Sequence, residues 1–370
     1  MQALWSFLVD WLDGHAVTPF LALVHLDRLA GDPREIAAAL LIATAQVLVI
    51  ALVFRPLESL APAGRWDDRR LTRIDRTYTL LMLLGLNPLF AYLVLTPLAN
   101  AFGGADAGGA ATASGLAAWV PWFQQHPLAL FLVYYVIYDF AYYWMHRVQH
   151  WIPWWWALHS MHHSQRQMSC WSNDRGSYVD GFLQSIFLAT VGLVVGVEPD
   201  QFALLMFVGE LAQNWSHANV RFGFGRAFDK LFVDPKFHRL HHMIVDPERP
   251  RLHNCNYGQV LSVWDVLFGT ALYGEPARPT GVGDPMVDAD NGRGVVTMQW
   301  GAFRRFWGAL WCAAGWKPGD VAFGPDHVPV PTRHMDLHRF DRPAQPADGA
   351  PAEGRGAGGG LVGEPARGPA

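Results

Sequence analysis

Eight histidines fall into three tight clusters. His146 and His150 lie in HRVQH, His159, His162 and His163 in HSMHH, and His238, His241 and His242 in HRLHH. Each cluster contains a pair four residues apart, and on a helix that spacing puts both rings on one face. Imidazole is the commonest side-chain ligand of transition metals, so rings aimed at one point make a metal-binding cavity. Scattered surface or core histidines do not account for three such clusters in one chain. Eight ring donors exceed the four of a closed tetrahedral zinc site. They suit two metals, each with several nitrogen ligands and room for a substrate or oxygen. His217, at the end of an apolar run, is a candidate ninth ligand, and His253 is a further candidate in a loop among prolines and arginines. His15, His25, His126 and His327 have no partner at ligand spacing, and His334 and His338, in the Pro/Gly/Ala-rich tail, are left out of the candidate set.

Asp139, Tyr142 or Tyr143, His146 and His150 recur at helical spacing, giving one polar face to an otherwise apolar segment. An acid at membrane depth is a functional candidate by default. The work expected of Asp139 is to accept a ring N–H from a ligand histidine, turning that ring's other nitrogen toward the metal. An ordinary buried acceptor is the alternative.

The elements that carry these residues are those of a membrane protein. Hydrophobic residues make up 51% of the chain and charged residues only 16%, more apolar than a usual soluble domain. Residues 36–54, 77–101 and 127–146 each approach the roughly 20 apolar residues needed to cross a bilayer, with kinks expected at Pro88 and Pro97. Residues 179–197 and 201–217 read as a helical hairpin that dips in and returns. Six arginines crowd 55–76, which reads as a loop, and no Lys or Arg occurs between Arg76 and Arg147. That asymmetry puts the 55–76 loop in the cytoplasm and the Gly/Ala-rich 103–126 loop on the other side. All three histidine clusters and His217 then arrive at the cytoplasmic face.

The expected fold is an all-α polytopic membrane bundle with a cytoplasmic, histidine-rich metal-binding cap. Residues 1–34 form an N-terminal interfacial or simply packed helical segment, 35–325 the membrane-embedded domain, and 326–370 a disordered Pro/Gly/Ala-rich tail. No basic n-region or small-residue cleavage site is evident at the N-terminus, so no cleaved signal peptide is expected. Cys170, Cys255 and Cys312 form no C-x-x-C, which fits a reducing compartment. A net charge of -4 speaks against a nucleic-acid partner. The chain has no H-E-x-x-H, no Glu-x-x-His and no G-x-S-x-G. Zincin proteases, carboxylate-bridged di-iron bundles and serine lipases are therefore set aside.

The segments DFAYYWMHRVQH (139–150), ALHSMHH (157–163), FHRLHH (237–242) and NYGQVLSVWDVLFGT (256–270) resemble the fatty acid hydroxylase and sterol desaturase superfamily. The resemblance covers roughly residues 80–272. It implies a non-haem centre of two iron ions held by His146, His150, His159, His162, His163, His238, His241 and His242. It also implies O₂ activation, and hydroxylation, desaturation or ether cleavage of a lipid. DGFLQS (180–185) resembles a stretch of the sterol desaturase branch, but Ser177 and Tyr178 stand where that branch has His-Pro. Asn256, Tyr257, Trp264, Asp265 and Gly269 are expected to brace the fold, and Trp154, Trp155 and Trp156 to form an interfacial belt.

Chemistry agrees with that implication, because an unactivated C–H bond yields to metal-activated O₂ and not to a side chain. The expected partners are a membrane lipid, O₂ and a separate electron-donor protein, since no haem, iron–sulfur or nucleotide fingerprint occurs. A membrane metal-binding or metal-transport protein without oxygenase activity is the alternative. It would need ligands at the bilayer midplane and an exit on the far side, where only His126 lies.

Overall fold

A computed structural model describes residues 2–27, 32–103, 115–225, 227–244, 254–275 and 279–313. The described residues are helical, with no strand and two isolated β-bridges. In chain order the main helices are α1 (Gln2–Leu12), α2 (Pro33–Leu60), α3 (Arg69–Leu98), α4 (Pro127–Trp151), α5 (Pro153–His163), α6 (Tyr178–Val195), α7 (Pro199–Ser216), α8 (Pro235–His241), α9 (Val263–Leu267), α10 (Pro285–Asp290) and α11 (Val295–Ala313). Helices α2, α3, α4 and α6 are long and apolar enough to cross a membrane. His253 and the 326–370 tail lie outside the described residues.

Proline explains a repeated feature of this bundle. Thr18, Arg55, Asn87 and Thr96 each donate a backbone N–H to the carbonyl five residues back and each precede a proline. In an ordinary helix a proline ring collides with the carbonyl four residues back. Widening the preceding turn removes the collision and keeps the backbone bonded. The kinks expected at Pro88 and Pro97 are thus wide turns within one continuous helix.

The arginine-rich 55–76 segment is not a long loop. Helix α2 runs on to Leu60 and α3 begins at Arg69, leaving only residues 61–68 between them. Charged residues hid the start of α3 from a search for apolar runs, but an exposed helix end tolerates them. At the N-terminus, Val9, Val17 and Leu21 pack on Ile36, Ala37 and Tyr92, while Leu4, Phe7 and Trp11 stay exposed.

The turn between α4 and α5 positions the first two histidine clusters. Ile152 adopts extended backbone angles and Pro153 opens α5. A residue before proline is pushed out of the helical region, and proline itself suits the first helical position. The chain therefore breaks after Trp151 and folds α5 back toward the end of α4 that carries His146 and His150. Helix α11 supports α5 from outside, with Met298 and Ala302 packed against Met161 and Tyr78.

Behind α5 lies a buried ion pair. Arg175 meets Asp75 of α3 at 3.1 Å, both side chains being fully buried, and also donates to Ser164 and Asn291. Gln165 adds a further hydrogen bond to Asp75. Removing one partner of a buried pair strands the other charge, which costs about 3–5 kcal/mol. Asp75→Ala is expected to lower stability by that amount, read as thermal unfolding of the detergent-solubilised protein; an unchanged midpoint would contradict it.

Candidate metal centre

The fold brings nine imidazoles together from four helical regions. Ring nitrogens of His146, His150, His159, His163 and His241 lie within 4.8 Å of one another, as do those of His162, His217, His238 and His242. Each group could hold a metal ion, and eight of the nine residues are buried, His162 partly so. Helix geometry divides the clusters. At about 100° per residue, positions i and i+4 stand roughly 40° apart, while i+3 falls to the other side. His159 and His163 thus join the first group and His162 the second. His238 and His242 join the second, and His241 the first. The two groups touch where the rings of His163 and His242 stack at 4.2 Å.

Hydrogen bonds on the outer nitrogens fix which nitrogen faces inward. Nδ1 of His146 donates to the Tyr257 carbonyl at 2.9 Å, of His162 to Arg175 at 3.0 Å, of His217 to Gln213 at 2.8 Å and of His241 to Cys255 at 2.7 Å. A carbonyl oxygen cannot donate, so Nδ1 carries the hydrogen and Nε2 presents a lone pair. Nε2 of His217 lies 3.1 Å from Nε2 of His162 and 3.2 Å from those of His238 and His242. In the first group, Nε2 of His146 and His241 are 3.0 Å apart. Lone pairs that face one another at this range repel unless a cation lies between them. Nitrogens so spaced can share a point about 2 Å from each, the metal–imidazole bond length. Nε2 of His159 and both ring nitrogens of His163 are buried without a hydrogen-bond partner, which also fits a cation.

Protonation agrees with this. Burial above all, and then the neighbouring imidazoles, hold His162, His163, His238, His241 and His242 well below the ordinary imidazole range. Burial lowers His217 to about 4, against the opposing bond to Gln213. These rings are neutral at pH 7, the form a metal requires.

The expectation for Asp139 is corrected. Its carboxylate accepts the backbone N–H groups of Val260 and Leu261 at 3.0 and 3.2 Å and the indole N–H of Trp264 at 2.9 Å. It holds the 260–264 turn and, among the described residues, reaches no imidazole. The carboxylate that orients a ring is Asp180, in the first turn of α6. It accepts from Nδ1 of His159 at 2.9 Å, Gln149 at 2.8 Å and the Trp155 indole at 2.8 Å. The sequence marked Asp180 only through the DGFLQS stretch.

The NYGQVLSVWDVLFGT segment braces the site from the other side. Asn256 has a left-handed φ of 59° and bonds the carbonyls of Phe237 and Leu272 through its side chain. Asparagine is one of the few non-glycine residues that tolerate that conformation. Asp265 accepts from the backbone of Tyr257 and Gly258 and from Thr270. Burial pushes its carboxyl up to about 6 against those bonds. Tyr257 does more than brace, because its carbonyl takes His146 and its ring packs 5.2 Å from His150.

Residues 131–270, which hold every one of these nine histidines, match the family model for fatty acid hydroxylase. This stretch of the chain is a fatty acid hydroxylase domain by that match, and its relatives include lipid hydroxylases and a sterol desaturase. It is 29% identical over 200 residues to alkylglycerol monooxygenase of Homo sapiens, covering 50% of this chain and 42% of that protein. It is 32% identical over 168 residues to an ornithine lipid hydroxylase of Rhizobium tropici, covering 43% of this chain and 46% of that protein. A Delta(7)-sterol 5(6)-desaturase of Gibberella zeae is 28% identical over 142 residues, covering 38% of this chain and 40% of that protein. The alignments thus span less than half the length of these relatives. No solved structure matches the chain. The named relatives are a monooxygenase, a hydroxylase and a desaturase, and this chain carries a histidine cluster that could bind metal.

Proposed function

We propose that the chain is a membrane-bound, non-haem di-iron oxygenase that uses O₂ to hydroxylate, or alternatively desaturate, a lipid. The observation that carries this reading is the pair of all-imidazole nitrogen groups, one of five residues and one of four, side by side. When bound, two iron ions would supply the activation of O₂ that no side chain provides. His146, His150, His159, His163 and His241 would hold one ion. His162, His217, His238 and His242 would hold the other.

The chain's own residues do the remaining work. Asp180 and the carbonyls of Tyr257, Arg175, Gln213 and Cys255 hold the outer ring nitrogens, so each ring keeps one tautomer and one orientation. Trp156, buried, lies 4.9 Å from the ring of His150 and 5.4 Å from that of His163, helping to exclude water. Hydroxylation places one oxygen atom in a C–H bond and reduces the other to water. It consumes two electrons and two protons, and the electrons come from a separate donor protein. Arginine placement supports a site at the cytoplasmic face.

The test is iron content together with lipid-dependent O₂ consumption of the purified chain in lipid nanodiscs with a chemical reductant. Products are read by mass spectrometry as a gain of one oxygen or a loss of two hydrogens. Metal binding without O₂ consumption on any lipid would favour a metal-binding or transport role instead. Comparing the lipids of a deletion strain with its parent then identifies the substrate.

A further inference from the structure

An apolar cavity of about 270 Å³ is walled by the same stretches of chain that carry His217 and His238, and the chemistry above does not use it. Its walls are Ala212 and Trp215 of α7, Phe224, Phe228 and Phe232 of the following loop, and Val260. The volume is just under the roughly 300–1,000 Å³ of pockets that enclose a drug-sized ligand, enough for a length of alkyl chain. Its wall shares elements with the ligand histidines. Trp215 stands two residues before His217. Val233, also in the lining, precedes Asp234, whose side chain caps the helix carrying His238 and His242.

The loop that forms the mouth presents apolar groups outward. Phe222, Phe224, Phe228, Leu231 and Phe232 are between 40% and 57% exposed. The described backbone at its C-terminal end is nevertheless tied by hydrogen bonds. Val233 donates to Val260, Ser262 donates to the Leu231 carbonyl through its backbone and to the Asp229 carbonyl through its hydroxyl, and Asp139 pins Val260 and Leu261. A tied backbone that holds aromatic side chains out is suited to an apolar surrounding, and a cluster of that size in water marks an interaction surface. Arg221, Lys230 and Lys236, all exposed, lie along the same segment and suit lipid head groups at a membrane surface.

We propose that the hydrocarbon chain of a membrane lipid enters across the Phe222–Phe232 apron and lies in this cavity, directed toward the nitrogen group of His217 and His238. That this lipid is the substrate rests on the oxygenase reading; that it binds here does not. The site also gives Asp139 its work, as the residue that fixes the cavity wall.

The experiment is photolabelling of the full chain in phosphatidylcholine nanodiscs doped with a phosphatidylcholine whose acyl chain carries a diazirine. Labelled peptides are mapped by mass spectrometry. Label is expected on Ala212–Trp215 and Phe224–Val233. Ala212→Trp fills the cavity and Phe228→Glu charges its mouth. Each is expected to cut that label about 10-fold or more, the scale on which hydrophobic pockets discriminate, while label on Pro33–Leu60 and metal content persist. Phe228 is exposed, so its variant reports even if Ala212→Trp misfolds. Label confined to the spanning helices, or unchanged in Phe228→Glu, would overturn the site. Label in the cavity without lipid oxidation would overturn the oxygenase reading and leave the site standing.

Discussion

His217→Ala is expected to reduce bound iron from two ions per chain to one and to bring lipid oxidation down to background. His217 is the hub of the second group, with its Nε2 within 3.1–3.2 Å of those of His162, His238 and His242. Removing it takes that group from four rings to three. It contributes no nitrogen to the first group, so the loss is selective. The missing ring leaves a buried space bounded by His162, His238 and His242, and added imidazole is expected to restore part of the metal and the turnover. His126→Ala is the matched control, because that ring stacks on Trp122 at 3.8 Å and belongs to neither nitrogen group. Metal analysis, circular dichroism and turnover on the two variants check the prediction. A His217→Ala protein that keeps two ions and full turnover would remove His217 from the ligand set.

Much of this site could be read from residue order, and the parts that could not have a common cause. Pairs such as His146/His150 and His159/His163 are visible because a helix repeats locally, and a ring's neighbours on its own helix follow from counting. The allocation of His162 and His241 to opposite groups depends on how α5 and α8 face each other, which no local count contains. Asp139 and Asp180 look alike in sequence, each an acid in an apolar helix. They differ in what covers them. Asp139 meets Val260, 121 residues away, and Asp180 meets His159 across a loop of buried polar residues. The carbonyls of Tyr257, Arg175, Gln213 and Cys255 are invisible for a simpler reason, since every residue has one. The start of α3 was hidden because Arg69, Arg70, Arg73 and Arg76 make its first turns polar, and a hydropathy criterion sees only the apolar part of the helix.

Asp180→Asn is expected to lower metal affinity of the first group by about 10–100-fold, the range seen when such ring-orienting partners are lost. One Asp180 oxygen takes Gln149 and the Trp155 indole, and the other takes Nδ1–H of His159. An amide keeps only one acceptor oxygen. If that oxygen stays with Gln149 and Trp155, the amide NH₂ faces Nδ1–H of His159, donor against donor. The ring escapes by moving its hydrogen to Nε2, the nitrogen that has no other partner and faces the site. A protonated Nε2 has no lone pair to give a metal. The same substitution leaves a buried donor unmade at a cost of about 1–3 kcal/mol, so lower thermal stability alone would not identify the mechanism. Two readouts separate positioning from mere packing. Metal loss should be confined to one ion per chain, because His162, His217, His238 and His242 do not touch Asp180. In zinc-loaded, ¹⁵N-histidine-labelled protein, the His159 ring should also switch from the Nδ1–H to the Nε2–H tautomer. A variant that melts earlier yet binds both ions with native affinity would reduce Asp180 to a structural acceptor and leave the orientation of His159 to packing alone.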